Sequence, residues 1–563
     1  MRTLLLKSPL QIRTGLAAAM KAALEDTFHA VNPQIEVVPS RNLSFGDLAC
    51  SSAMPLAGKL KKSPREIADV MAEGITSRFP QVEKVTVDGP GFLNITLSGE
   101  YLAQFTSAVA LKGAGQFIPR AGEGKTALVE FVSSNPTGPL TVGHCRQAVL
   151  GDAVSRLLEA VGWKVQREYY FNDAGRQMDK LAESLAARYM GLLGVSMDIP
   201  QGGYQGDYIV SWAEQLREEK GDLLKWPEQM KLFRDYAGSR AFTLISDDLK
   251  LLGITFDRYF AESELIPEAV EETIELLEQK QLVYRDREDP RKIWLKLSEI
   301  GRPDDRVIMR EDGSYTYRMP DIAYHLNKFH RGYDLIVDIF GSDHIDTCRD
   351  VEAVVGELIG KDEVSSRLRI ILHQFVTLLR GGEKVKMSTR AGNFVTLRDL
   401  VDEVGSADVV RYIFLTRRAE AHMDFDLAVA AADNEENPVF YVQYAFARIA
   451  GILRKLPDAE SLVVKDSKLL LSALSGERER DLMRLLETIP LRVEAAATAL
   501  EPNRIPDMLA EVARGFHGFY QHHKVVDPGN METTAARLTL CMAVRTTLRD
   551  LLTILGVDAP EKM

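Results

Sequence analysis

Apolar residues recur every third or fourth position through LQIRTGLAAAMKAALEDTF (residues 10–28) and again in PREIADVMAEGI after Ser63. That spacing predicts amphipathic helices, so residues 10–75 read as largely helical. Beyond them the period falls to two. VEKVTVD and FLNITLS flank Gly89-Pro90-Gly91 and read as strand, turn, strand. This small α+β unit is closed by the glycine-rich, polar residues 113–124, which have the texture of a linker. A new rhythm starts at Thr126. ALVEFVSS is a short apolar run, NPTGPLTVGH a loop, CRQAVLGDAVSRLLEAVG a helix and VQREYYFND a strand. Strand, glycine-containing loop, helix, strand is the βαβ pattern of a doubly wound parallel sheet. IWLKL, DLIVDIFGSDH and LRIILHQFVTLL fit further strands, and residues 178–257 read as a charged helical insertion. From Asn437 onward four amphipathic helices follow one another, punctuated by Pro457, Pro502 and Asp527-Pro528-Gly529, as in a separate bundle.

Length supports that division. A chain of 563 residues suggests three or four domains. The boundaries expected are 1–115 for the α+β unit, 116–400 for the sheet domain, 401–436 for a helical connection and 437–563 for the bundle. With 45% hydrophobic and 27% charged residues the composition is that of a protein with sizeable cores. No apolar run reaches the length of a membrane span, and Lys7 and Arg13 interrupt the start too early for a signal peptide. Cys50, Cys145, Cys348 and Cys541 lie far apart, so neither a disulfide framework nor a zinc site is expected; free thiols in a reducing cytoplasm fit better. A net charge of -12 does not advertise a nucleic-acid binder, but local basic patches rather than the total decide binding.

Two segments carry candidate chemistry. The first is the loop Asn135, Pro136, Thr137, Gly138, Pro139, Leu140, Thr141, Val142, Gly143 and His144, at the carboxyl end of the first sheet strand and the start of a helix. Free N–H groups and the positive dipole end suit phosphates there, and the bare Cα of Gly143 lets a flat base approach. His144 is placed to donate to a phosphate or stack beneath adenine. Taken alone, a Gly-His pair at such a turn is more often ordinary turn chemistry. The second segment, residues 381–392, sets Lys384, Lys386, Met387, Ser388, Thr389 and Arg390 on a glycine-bounded loop. Its cations suit a pyrophosphate leaving group, although an isolated Lys/Arg cluster is more often a solvated hairpin.

Together the two segments say more. Thr141-Val-Gly-His144 and Lys386-Met-Ser-Thr-Arg390 resemble the HIGH-type and KMSKS-type motifs of class I aminoacyl-tRNA synthetases, in the right order and fold context. Residues 129–139 (VEFVSSNPTGP), 315–325 (YTYRMPDIAYH), 338–344 (DIFGSDH) and 441–449 (YVQYAFARI) then resemble the arginyl-tRNA synthetases, as do GPGFLNI near the start and APEKM at the end. That resemblance implies a class I Rossmann-like catalytic domain with helical insertions, a small N-terminal α+β domain that contacts the tRNA elbow, and a helical anticodon-binding bundle. It implies an arginine-tRNA ligase that uses ATP with Mg²⁺, needs bound tRNA for amino-acid activation, and acts as a monomer in the cytoplasm. The tRNA would be held at its elbow, acceptor end and anticodon loop. For the arginine side chain it implies Glu130, Tyr317 and Asp321, which suit a planar cation with five donors. Asn135 and Ser133 would hold the α-amino and carboxylate groups; His344 and Asp343, with Gly341, would line the arginine and ribose wall. Tyr441, Tyr444, Arg448, Phe516 and Tyr520 are candidates for the anticodon contact, some of them as core residues instead.

This chain departs from the motifs at two places. Thr141 stands where the HIGH pattern has its first histidine, and Thr389 where the KMSKS pattern has its second lysine. Some arginyl enzymes lacking that lysine carry one just before the HIGH motif, yet Gly138 stands there. Three rivals therefore stay open: a synthetase for another amino acid, cysteine first; a nucleotidyltransferase without tRNA; and a tRNA-binding paralogue with a lapsed active site. A carboxylate such as Glu130 inside an apolar strand is costly unless it meets a cation, which favours a cationic substrate.

Overall fold

Five parallel strands form the central sheet: β1 (Thr126–Glu130), β2 (Lys164–Phe171), β3 (Arg258–Ala261), β4 (Leu335–Gly341) and β5 (Leu368–His373). Their order, β5-β4-β1-β2-β3, reverses direction between β1 and β4. This is the switch point at which open α/β sheets leave a crevice at the strands' carboxyl ends. The structure, a computed structural model, describes residues 6–40, 43–76, 78–173, 175–385, 395–434, 436–456 and 459–563. The chain divides into two units, residues 122–433 around this sheet, and residues 1–121 together with 434–563.

In the sheet unit, Ala127, Leu128 and Val129 of β1 are fully buried, as are Ile336, Val337 and Ile339 of β4. Near-continuous apolar strands of this kind are expected where both faces are covered. Helix α1 (Val142–Ala160) follows β1, and α2 (Arg318–His330) precedes β4. The insertion expected at 178–257 is three helices, Arg176–Leu192, Asp207–Lys220 and Met230–Leu251, with their own core around Leu185, Trp212 and Phe233. Two strand expectations resolve differently from a simple extension of the sheet. Ile293–Leu295, within IWLKL, joins a separate antiparallel sheet with Val283–Arg285 and Arg306–Met309. LRIILHQFVTLL breaks into β5 and Val376–Arg380, the latter in a third sheet with Glu383–Lys384 and Met423–Asp426. The break at Gln374 is fastened from outside the strand. The buried Arg146 of α1 donates to the carbonyls of Gln374 (2.7 Å), Arg418 (2.9 Å) and Ala421 (3.0 Å), and the Gln374 N–H donates to Ala419 O at 3.0 Å.

In the other unit, helices Pro9–Phe28 and Pro64–Thr76 pack beside a four-stranded antiparallel sheet. Two of its strands, Val38–Pro39 and Leu48–Cys50, lie in the stretch whose periodicity predicts helix. They are two and three residues long, too short for alternation to register. The helices Pro438–Leu453, Glu477–Ala499, Arg504–His522 and Met531–Leu555 form the expected bundle. The stretch expected to be a linker is docked at its start: the Gly115 N–H donates to Asp550 Oδ2 at 2.9 Å. Gly113 has φ +84 and would drive a Cβ to 2.6 Å from the same carboxylate, so only glycine fits.

Candidate active site

The crevice at the switch point is a cleft of about 940 Å³, a size suited to a nucleotide and a small partner. Of the residues singled out above, Glu130, Ser133, Asn135, Thr137, Thr141, Val142, Gly143 and His144 line it from the β1–α1 side. Tyr317, Asp321, Gly341, Asp343 and His344 line it from α2 and the end of β4. Pro136, Gly138, Pro139 and Leu140 do not. Gly138 faces Tyr208, whose hydroxyl lies 2.9 Å from where a Cβ would stand, and Leu140 is buried, its carbonyl accepting from the Leu397 N–H at 2.7 Å. Lys384 ends the exposed strand Glu383–Lys384. Lys386, Met387, Ser388, Thr389 and Arg390 lie outside the described residues.

The chain leaves β1 through a strained turn. Val132 has φ +67 and Ser133 φ +39, and the Ser133 N–H donates to the Phe131 carbonyl at 3.0 Å. A β-branched residue at positive φ is disfavoured by its Cβ, so surrounding contacts must hold this conformation. They do so through Ser133, whose hydroxyl donates to Glu130 Oε1 at 2.8 Å and accepts the Tyr170 N–H at 3.1 Å. The turn aims Ser133 and Asn135 into the cleft.

At the start of α1, Thr141 is the N-cap and its N–H donates to His144 Nδ1 at 3.2 Å. With Nδ1 accepting, a neutral imidazole carries its proton on Nε2, a donor available to a ligand. Burial pushes the His144 pKa down, so the ring is neutral at physiological pH. A Cβ on Gly143 would meet nothing nearer than Thr141 Oγ1 at 3.7 Å, so the first helical turn is open to a ligand. Across the cleft, burial holds His373 neutral as well, with its pKa down at about 4. Asp343 and His344 are exposed, 3.8 Å apart.

The carboxylates divide into two classes. Glu130, Asp338 and Glu168 stand side by side on adjacent strands, Asp338 in register with Glu130 and Glu130 with Glu168. Each of these has cations of the chain's own. Lys328 Nζ donates to Glu130 Oε2 and, at 2.6 Å, to Asp338 Oδ1. Arg331 grips Glu168 with both terminal nitrogens at 2.6 and 2.7 Å. Burial opposes the ionised form of Asp338, but Lys328 and His325 outweigh it and hold the carboxyl down at about 2. Asp321 and Glu262 are different. Both line the cleft; neither has an ion pair among the described residues; and burial pushes both pKa values up, that of Asp321 to about 6. Neighbouring negative charge, from Glu130 and Glu262, adds to the rise at Asp321. A desolvated carboxylate without a cation is costly, so a cationic ligand at this pair would relieve both.

Glu262 was not among the residues the sequence singled out. It follows β3 directly and accepts from the Tyr170 hydroxyl at 2.9 Å. Its signal was RYFAE, a short strand ending on a carboxylate, at the edge of what reads as an insertion. Tyr170, His373 and Phe375, also cleft residues, gave no comparable signal.

Comparison with known proteins gives the family of each part of the chain. The family described as "tRNA synthetases class I (R), catalytic domain" matches residues 106–412, "Arginyl tRNA synthetase N terminal domain" residues 11–97, and "DALR anticodon binding domain" residues 442–563. An arginine–tRNA ligase of Desulfotalea psychrophila is 42% identical over 92% of this chain and 93% of its own length. One from Thermotoga maritima is 43% identical over 94% of this chain and 96% of its own.

The chain belongs to the arginyl-tRNA synthetase family.

The fold agrees: the Thermus thermophilus arginyl-tRNA synthetase superposes with a TM-score of 0.74 over 98% of this chain and all of its own, at 21% identity. Within the bundle matched to the family's anticodon-binding domain, Phe516 is a core residue, fully buried. Tyr444, Arg448 and Tyr520 gather in one cluster, the guanidinium 4.8 Å from one ring and 4.9 Å from the other. No helix among the described residues is long and apolar enough to cross a membrane.

Proposed function

We propose that the cleft carries out both steps of an arginine–tRNA ligase, activating L-arginine with ATP and passing it to the terminal ribose of its tRNA. The observation that carries the substrate assignment is the pair of carboxylates, Asp321 and Glu262, which line the cleft with no ion pair among the described residues, whereas the buried Glu130 of the same lining meets Lys328. A guanidinium, planar and permanently charged, satisfies both at once, whereas cysteine offers them nothing. Tyr317, four residues before Asp321 and half-exposed beside it, supplies an aromatic wall. Ser133 and Asn135 take the α-amino and carboxylate groups, which sets the arginine carboxylate near the start of α1. There the N–H groups of Val142, Gly143 and His144 and the Nε2–H of His144 hold the phosphates of ATP. Gly341 and Asp343, at the end of β4, take the ribose, with His344 beside them.

In activation, an oxygen of the arginine carboxylate attacks the α-phosphorus and pyrophosphate leaves. In transfer, a hydroxyl of the terminal ribose attacks the carbonyl of the mixed anhydride and AMP leaves. The chain's residues position the groups and stabilise charge rather than forming covalent intermediates. Mg²⁺ brought in with the ATP phosphates would neutralise charge there; among the described residues no group of three or more His, Cys, Asp or Glu gathers to hold a metal. The N-terminal α+β domain takes the tRNA elbow and the bundle its anticodon arm, in the cytoplasm.

The test is ATP–pyrophosphate exchange with each amino acid, with and without tRNA. Exchange is expected with arginine and only when tRNA is present. Exchange with cysteine and none with arginine overturns the substrate; arginine exchange without tRNA overturns the coupling.

The same reading sets a pH dependence. Arginine pairs with the ionised form of Asp321, whose carboxyl in the free protein stands at about 6. Above pH 7 that form dominates and the KM for arginine is flat. As pH falls through 6 the proton competes, and KM rises by about tenfold near pH 5, one unit below the pKa. Asp321→Asn removes the rise. An arginine KM that stays level from pH 7 to 5 in the wild type counts against the pairing.

A further inference from the structure

Residues 134–141 bring Asn135, Thr137 and Thr141 to the cleft wall just ahead of α1. The segment has few means of holding its own shape. Pro136 and Pro139 have no N–H to donate, and the Thr137 N–H bonds within the segment, to the Asn135 carbonyl at 2.8 Å. Other fastenings come from distant elements. The Tyr169 hydroxyl donates to the Ser134 carbonyl at 2.8 Å, and the Tyr208 hydroxyl to the Thr137 carbonyl at 2.7 Å. Asp248 Oδ2 accepts the Leu140 N–H at 3.4 Å, and the Leu140 carbonyl accepts the Leu397 N–H at 2.7 Å.

Tyr208 and Asp248 belong to the helical insertion rather than to the sheet. Tyr208 opens the helix Asp207–Lys220, and its ring meets that of Trp212 edge-on at 5.0 Å, inside the insertion's own core. Gly138 makes room for it. A Cβ there would stand 2.9 Å from the Tyr208 hydroxyl oxygen and 3.1 Å from Cζ. The backbone of Gly138 is not at positive φ, so space rather than conformation is what this glycine supplies. Asp248, buried near the end of Met230–Leu251, also accepts from Arg398 at 3.0 Å. Arg398 lies in the helix Leu397–Val404, which follows the second motif in sequence, and Thr396 just before it pairs with Thr141 in an antiparallel bridge.

We propose that the helical insertion is the frame on which the phosphate-binding loop is set, with Tyr208 and Asp248 as positioning residues for adenylate formation. Neither residue lines the cleft. Tyr208 fixes the middle of the loop by a carbonyl, and Asp248 fixes it three residues on by an N–H, so α1 starts from a set point. Through Arg398, Asp248 gives the same anchor to the helix beyond the second motif. In-line attack on the α-phosphorus depends on alignment, and a drift of about 1 Å costs about a hundredfold in rate. This rests on the ligase reading of the cleft given above.

Tyr208→Phe keeps the ring and removes the hydroxyl. In ATP–pyrophosphate exchange with arginine and tRNA, kcat is expected to fall about fivefold to tenfold, with both KM values within about twofold of wild type. Asp248→Ala, which frees the Leu140 N–H and Arg398 together, is expected to show the same split with a loss of about tenfold or more. Gly138→Ala drives a methyl against the Tyr208 hydroxyl and is expected to lower kcat by about thirtyfold or more. Because that methyl already breaks the bond to Thr137, adding Tyr208→Phe to it is expected to cost nothing further. A bond that serves stability alone lowers the thermal melt, leaves the kcat of the folded enzyme where it was, and lets the two losses multiply. Wild-type kcat in folded Tyr208→Phe or Asp248→Ala therefore overturns the proposal. So does a double-variant loss equal to the product of the single ones, or a change confined to the KM for arginine. Should Gly138→Ala or Asp248→Ala fail to fold by its thermal melt, Tyr208→Phe decides by the same split. Wild-type exchange is measured alongside. No arginine exchange there sinks the reading of the cleft, whereas normal wild-type exchange with indifferent variants sinks only the role of the insertion.

Discussion

Replacing Asp321 with asparagine is expected to raise the KM for arginine by at least about thirtyfold while leaving that for ATP almost unchanged. Removing one partner of a charge-assisted hydrogen-bonded pair in a closed site costs about 2–5 kcal/mol, and every ~1.4 kcal/mol is tenfold in affinity. Much of that cost falls on the guanidinium, which keeps its charge and loses its partner. Glu262→Gln is expected to behave in the same way, because Glu262 shares the feature that singles out Asp321: a desolvated carboxylate lining the cleft without an ion pair among the described residues. Glu130→Gln gives the contrast. Glu130 has one oxygen on Lys328 and the other on Ser133, so its loss perturbs the turn and the lysine before it perturbs the substrate. Its effect on arginine KM is expected to be the smallest of the three. Steady-state kinetics with each substrate varied in turn decides this. Equal rises for ATP and arginine in Asp321→Asn would make that carboxylate structural, and a Glu130→Gln effect exceeding both others would move the substrate to Glu130.

Lys386→Ala is expected to lower kcat by about a hundredfold or more with little change in either KM, comparable to losing one preorganised donor at a developing charge. The argument is from sequence, since Lys386 lies outside the described residues. Lys386 matches the first lysine of the KMSKS-type motif, and Gly381 and Gly382 precede it at φ +59 and +84. The segment before the loop is tied down: the N–H groups of Gly381 and Gly382 donate to Asp426 at 3.1 and 2.8 Å. Because Thr389 replaces the motif's second lysine, Lys384 and Arg390 are the other nearby cations. If Lys384 shares the role, Lys384→Ala with Lys386→Ala costs less than the sum of the two single losses. Single-turnover formation of arginyl-adenylate is the measurement. Formation at the wild-type rate in Lys386→Ala would take the loop out of catalysis and favour a lapsed paralogue.

Local pattern was sufficient for much of this molecule. The periods of 3.6 and 2 in the first hundred residues, the βαβ rhythm after Thr126 and the four helices after Asn437 are properties of short windows, and they appear in the structure as helices, strands and bundle. The β1–α1 loop was legible for the same reason: a strand, a glycine and a helix start are neighbours in sequence, so Gly143 and His144 come to the cleft wherever the rest of the chain goes. Very short strands escaped that reading because two or three residues do not make a period.

What sequence alone left undecided was the partnership of charges, because partners there are far apart along the chain. Glu130 and Lys328 are separated by 198 positions, and nothing local tells a carboxylate in VEF that its cation is a lysine seven residues beyond Asp321 on another element. Physical chemistry required only that Glu130 meet some cation. Whether that cation was the substrate's or the protein's own depended on the register of β1 against β4 and on the seating of α2 behind them. The same packing brought Glu262, at the end of β3, into the cleft lining with Asp321, without an ion pair among the described residues. Sequence thus determined the family, the parallel-sheet fold and the loop that opens the cleft. Tertiary structure decided which acids meet a cation of the protein's own and which two line the cleft without an ion pair among the described residues, since desolvation and Coulomb attraction act through space and take no account of distance along the chain.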